Sequence, residues 1–130
     1  MVTASQAKAR QSAKIREIAD SLHAVGCKTL DEQAKALGLC RSTTWTLISG
    51  SHKGSGLSAH LINRILASPT VPMPVRKKII EYLEERLAGL HGHSRASCGR
   101  FGARLGNKLQ PIVRNVLDEA HYKNPQQSVR

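Results

Sequence analysis

Residues 41–50 read Arg-Ser-Thr-Thr-Trp-Thr-Leu-Ile-Ser-Gly. A cation, a run of short hydroxyls and the chain's only tryptophan stand together there. Such groups suit hydrogen bonding rather than bond breaking. Arg41 can bridge guanine O6 and N7 with two parallel bonds, and Ser42, Thr43 and Thr46 can reach base edges. Trp45 lies one residue from Thr44 and two from Leu47, so it either packs in the core or stands exposed to meet a thymine methyl or a sugar. Thr29, Ser49, His52 and Lys53 are the candidate phosphate contacts, because hydroxyls, histidine and lysine all serve backbone oxygens.

Other chemistries find less support. His91, His93 and Cys98, or His23 and Cys27 at helical spacing, contain metal-binding residue types. No Cys-x-x-Cys or His-Glu-x-x-His pairing accompanies them. The stretch 50–56 (Gly-Ser-His-Lys-Gly-Ser-Gly) lacks the Gly-Lys-Ser/Thr of a phosphate loop and follows no strand. Glu81, Glu84 and Glu85 share a helix with Arg76, Lys77, Lys78 and Arg86 as a solvated charge face. Asp118-Glu119 near His121 is equally weak. No nucleophile, base and orienting group converge, so an enzyme is not expected. Neither is a cofactor, a metal or a small-molecule substrate.

The elements that must hold the 41–50 stretch are helical. Ala4, Ala7, Ile15, Ile18, Ala19 and Leu22 recur mostly three or four apart, the period of one helix face. The early turns of that helix have little to bury and are expected to fray; Gly26 stops it. Thr29 reads as an N-cap, with Asp31 and Glu32 in the first turn to suit the positive end of the helix dipole. Leu30, Ala34 and Leu37 form the stripe of a short helix stopped by Gly38. A second short helix covers about 41–49, with Leu47 and Ile48 inward and Gly50 at its end. Ser58 caps a helix whose face is Leu61, Ile62, Ile65 and Leu66. Pro69, Pro72 and Pro74 exclude a central strand between it and a helix over about 74–90, carried by Ile79, Ile80, Leu83 and Leu87. Residues 94–102 look loop-like. Ile112, Val113, Val116 and Leu117 could mark a last helix, and the end from Asn124 is expected to be disordered.

From Leu30 to Gly50 this adds up to helix-turn-helix grammar. Ala34 is small where two helices cross, and Gly38 sits at the turn, where a positive φ is cheap only for glycine. Leu39 tucks under the turn, and Leu47 anchors the second helix. On Ala34, Gly38-Leu39, Arg41-Ser42-Thr43, Leu47 and Ser49-Gly50, the chain resembles helix-turn-helix proteins of the phage-repressor class (Cro/C1, XRE-like) over about residues 29–66. The resemblance implies a second helix that enters a DNA major groove. Three positions depart from the family pattern: Gln33 and Thr44 where aliphatic residues are usual, and Cys40 where a Ser or Thr cap is usual.

Charge agrees with such a partner. Twenty Lys and Arg against nine Asp and Glu give a formal net charge of +11 in 130 residues. Polyanions are therefore the expected partners, nucleic acid first. The excess is concentrated at the two ends, and residues 91–130 carry seven basic residues against Asp118 and Glu119. No apolar run approaches a membrane span, and the start MVTASQAKARQ has no apolar stretch of a secretory signal. Cys27, Cys40 and Cys98 make no disulfide framework, so a reducing cytoplasm is expected, with the protein on the nucleoid.

The expectation is an all-α protein: a small bundle of about five helices containing a helix-turn-helix, with a basic C-terminal extension. Its parts are an N-terminal basic helix (1–28), the helix-turn-helix core (29–90) and a basic, partly disordered arm (91–130) that touches phosphates. The expected function is sequence-specific binding of double-stranded DNA by a bacterial or phage-type transcriptional regulator. The alternatives are an antitoxin-like or adaptor module with a degenerate helix-turn-helix, and an RNA-binding protein. Helix-turn-helix proteins commonly pair on two half-sites, and Ile79, Ile80, Leu83 and Leu87 are the candidate homodimer interface.

Overall fold

Helix is the only regular structure among the residues that the computed structural model describes, 3–49 and 56–122 (side chains 119–122 excepted). There are seven α-helices and one 3-10 turn. Thr3, Thr29, Ser58 and Ser94 each head a helix, the hydroxyl accepting from the backbone N–H three residues on. Each cap satisfies a donor that the first helical turn leaves unpaired. No described helix is long and apolar enough to cross a membrane.

The helix α5, Met73–Leu87, is central. The helix α1, Ala4–Ala24, packs along one side of it, and α6, Arg95–Ala103, and α7, Gln110–Tyr122, pack on another. Ile15, Ile18 and Leu22 of α1 meet Val75, Ile79, Leu83 and Leu87 of α5 in the main core. This corrects the expected interface, not pairing itself: Ile79, Leu83 and Leu87 are fully buried inside one chain and Ile80 is half-buried, so this face is not free to meet a second copy.

The expected loose arm is also corrected over its described part. Phe101, Leu105 and Val113 belong to the same core, and Ile112, Val116 and Leu117 pack against it. Residues 94–102, expected as a loop, form most of the helix α6, although Gly99 and Gly102 are poor helix formers. In the fold Gly102 is a packing device: a Cβ there would stand 2.8 Å from Val113 Cγ1 and 3.2 Å from Leu87 Cδ2. Its missing side chain lets α6 lie close against α5 and α7. The expected disorder from Asn124 falls on 124–130, outside the described residues.

The start of α1 does not fray as expected. Ala7 and Gln11 are buried. Arg10 donates to both carboxylate oxygens of Glu85 on α5, at 2.9 and 3.1 Å. Glu85 also lies 3.6 Å from Lys14 Nζ and 3.2 Å from Nε2 of the buried His91. Burial pushes Glu85 up, but the bonds from Arg10 and His91 prevail and hold it below the usual carboxylate value. For His91 burial is the larger influence and prevails over Glu85, so the ring is held neutral. Its Nε2–H donates to Glu85, while Nδ1 has no partner in the described structure.

Both groups have depressed pKa values in the fold, which sets the sign of the pH dependence. Their contribution is complete above the unfolded-state values and is lost as the pH falls. For His91 the loss begins below about pH 6.5, and for Glu85 below about pH 4.3. The midpoint of urea unfolding should therefore fall between pH 7 and pH 5, and His91→Gln should flatten that decline. A midpoint that rises over the same interval would contradict the assignment.

Candidate nucleic-acid interface

The helix α2, Leu30–Leu37, and α3, Arg41–Ile48, are joined by a turn in which Gly38 has φ 71°. A side chain at that φ is strained, and its Cβ would approach Ser68 Oγ to 2.9 Å. Leu37, Leu39 and Leu47 are buried and fix both helices to the core. Two of the departing positions fit this geometry. Buried Gln33 donates from Nε2 to the Cys27 carbonyl at 3.0 Å, and buried Thr44 donates to the Cys40 carbonyl at 2.8 Å. Each polar group has its partner, so neither costs the unit its shape.

With Thr44 and Leu47 inward, α3 turns Arg41, Ser42, Trp45, Thr46 and Ser49 to solvent. Arg41 and Trp45 are four apart, as are Ser42 and Thr46, so these residues form one surface. Trp45 is 58% exposed, which decides between its two readings. Arg41 makes a 3.1 Å ion pair with Asp31, but both side chains are largely exposed, so a stronger partner can take the guanidinium. Thr46 donates to the Ser42 carbonyl at 3.0 Å.

Cys40 precedes α3 and, unlike Thr29 before α2, makes no regular side-chain cap. Its exposed Sγ lies 3.4 Å from Ser42 Oγ and 3.1 Å from Thr43 Oγ1. These two hydroxyls, then the Thr43 backbone N–H, lower the thiol to about 6. The lowered value favours the thiolate, the form in which Sγ accepts from both hydroxyls. A hydroxyl that donates to Sγ keeps its oxygen lone pairs for amino donors such as adenine N6 or cytosine N4. Sequence reasoning saw Cys40 only as a weak cap; its link to the hydroxyls two and three residues on was the available signal.

The candidate phosphate contacts divide. Ser49 stands exposed at the end of α3. Thr29 is committed elsewhere. Its hydroxyl accepts from Glu32 N, and its own N–H donates to the Glu32 carboxylate at 3.1 Å. A carboxylate at that spot repels a phosphate, so Thr29 acts as a structural cap, against the expectation. His52, Lys53 and the closing Gly50 lie outside the described residues.

The helix α4, Ala59–Ala67, follows. Leu57 N–H donates to the buried Tyr82 hydroxyl at 2.9 Å and pins its start to α5. Thr43, Thr46 and Leu47 share a shallow groove with Leu57, Ser58 and Leu61, so α3 and the first turn of α4 lie side by side. The histidines and cysteines considered as metal ligands are not gathered: among the described residues no three His, Cys, Asp or Glu form a group that could hold an ion. Comparison of the chain with protein-family models, curated proteins and solved structures finds no match.

Proposed function

We propose that this protein binds double-stranded DNA in a sequence-specific manner, with α3 in the major groove, and acts as a transcriptional regulator on the nucleoid, in the cytoplasm. One observation carries the reading. The inward residues of α3 lock it to the core, while its outward surface holds Arg41, Ser42, Trp45, Thr46 and Ser49. A helix so held brings a rigid, mostly polar surface to base edges at little cost in ordering. Arg41 reads guanine, Ser42 and Thr43 accept from amino groups, and Trp45 covers a thymine methyl or a sugar. Ser49 reaches a phosphate, and the net charge of +11 supplies affinity that falls with salt. The resemblance to phage-repressor helix-turn-helix proteins over about 29–66 supports the same reading. No catalytic role is assigned.

Selection from a pool of random duplex DNA tests it. Enrichment of a short motif of a few base pairs, or of two such half-sites, is the expected result. Retained binding with no enrichment would replace sequence reading with general DNA coating. Preference for an acidic protein or for RNA over duplex DNA would favour an adaptor or an RNA-binding role instead.

A further inference from the structure

The cations of this chain are unevenly partnered. On the seam between α1 and α5, Arg10, Lys14 and Lys78 are tied to Glu17, Glu81 and Glu85. From Gln33 to Ile80, and again from Arg86 to Leu117, the sequence holds no Asp or Glu. These two carboxylate-free stretches meet at Asn63. Its amide nitrogen donates to the Arg104 carbonyl at 3.0 Å, and its amide oxygen accepts from Gly106 N–H at 2.8 Å. Gln110 braces the same turn, donating to the carbonyls of Gly102 and Leu105 at 3.1 and 2.8 Å. The turn joining α6 to the 3-10 turn Asn107–Leu109 is thus fixed to α4.

The helix period places this turn relative to α3. On α4, Ile62 and Ile65 point inward, and His60 and Arg64 form the exposed stripe. Leu61 flanks that stripe on the α3 side, and Asn63 flanks it on the side of the turn. The surface therefore runs from α3 across His60 and Arg64 to the turn. Arg104 and Lys108 stand exposed there and Arg100 one helical turn earlier on α6, and with Arg64 they make no ion pair among the described residues. α4 thus separates the turn from α3, which sets the turn's cations beside the proposed groove-reading helix, on the side of the backbone that flanks the groove.

We infer that Arg64, Arg100, Arg104 and Lys108 form a second, rigid contact surface for the phosphate backbone of duplex DNA, set beside the groove that α3 enters. This rests on the proposed DNA binding and adds its flanking half. Asn63 is the positioning residue: it touches no DNA but holds the turn in register with α4. The surface supplies affinity without sequence information, because phosphates are the same at every base pair.

The test is fluorescence anisotropy with a random-sequence 30-bp duplex over a range of salt concentrations, using the full chain. The triple variant R100Q/R104Q/K108Q should bind more weakly and lower the slope of log affinity against log salt by about 2–3. The control R16Q/K77Q removes exposed charge from α1 and α5 and should change the slope by less than 1. Asn63→Ala leaves every charge in place and should lower the slope in part. Slope losses in simple proportion to the charges removed, three against two, would overturn the surface, leaving only net charge. A loss confined to double-stranded RNA of the same length would overturn it in favour of RNA. If the parent protein binds no duplex, the proposed function falls as well. If the parent binds and Arg41→Ala weakens selected-site binding while the triple variant keeps its slope, only this inference falls.

Discussion

Removing residues 91–130 is expected to unfold the protein, not to trim a tail from it. The cut takes Phe101, Leu105 and Val113 out of a continuous core and uncovers α5 at Leu87. Full burial of side chains of this size stabilises by about 1.5–3 kcal/mol each. Their sum is a large part of the roughly 5–15 kcal/mol that keeps a domain folded. Arg86 loses its surroundings too. Its guanidinium lies 4.3 Å from the centre of the Phe101 ring, and Nη2 donates to Ser97 Oγ at 3.3 Å. The truncated chain should show no cooperative melting transition. Phe101→Ala in the full chain, which costs about 3–5 kcal/mol at a buried site, should lower the melting temperature by more than 10 °C. A truncated protein that melts at the parent temperature would show that α6 and α7 are dispensable.

The second large effect is on recognition. Arg41→Ala should weaken binding to the selected duplex by about 1–3 kcal/mol and relax preference at one base pair. The guanidinium stands on the exposed side of α3, and its exposed pair with Asp31 is a weak competitor for a guanine. Binding to random duplex should fall far less, because a single cation adds only about one unit of salt slope. Circular dichroism and melting should match the parent. Unchanged affinity and preference at the selected site would remove α3 from the base-reading role.

The two short helices α2 and α3 and the turn between them were legible in sequence because their signals are local. Thr29, Gly38 and Ser58 act through backbone groups at most four residues away. Leu37 and Leu47 follow from helical period and Leu39 from its place under the turn, whereas Ile48, expected inward, is half-buried and the buried Thr44 is marked only by the family pattern. Trp45 was undecided at that level because its exposure depends on which side of α3 meets the core.

What the sequence by itself determined is the helical class, the caps and turn from Thr29 to Leu47, the surplus of positive charge and the residues available to meet a polyanion. What only the tertiary structure decided is everything that rests on partners far along the chain. Gly99 and Gly102 weaken the helical pattern, yet Gly102 is small because Val113 and Leu87 come against it. Ile79, Leu83 and Leu87 look like spare apolar surface until α1 on one side and α6 and α7 on another cover them. Thr29 could meet a phosphate until Glu32 closes over its N–H. Arg100, Arg104 and Lys108 become a surface only when Asn63, some forty residues earlier, fastens their turn beside α4. Period and capping are properties of a few neighbouring residues; burial and surface continuity are properties of which segments meet, and that is settled only when the whole chain closes on α5.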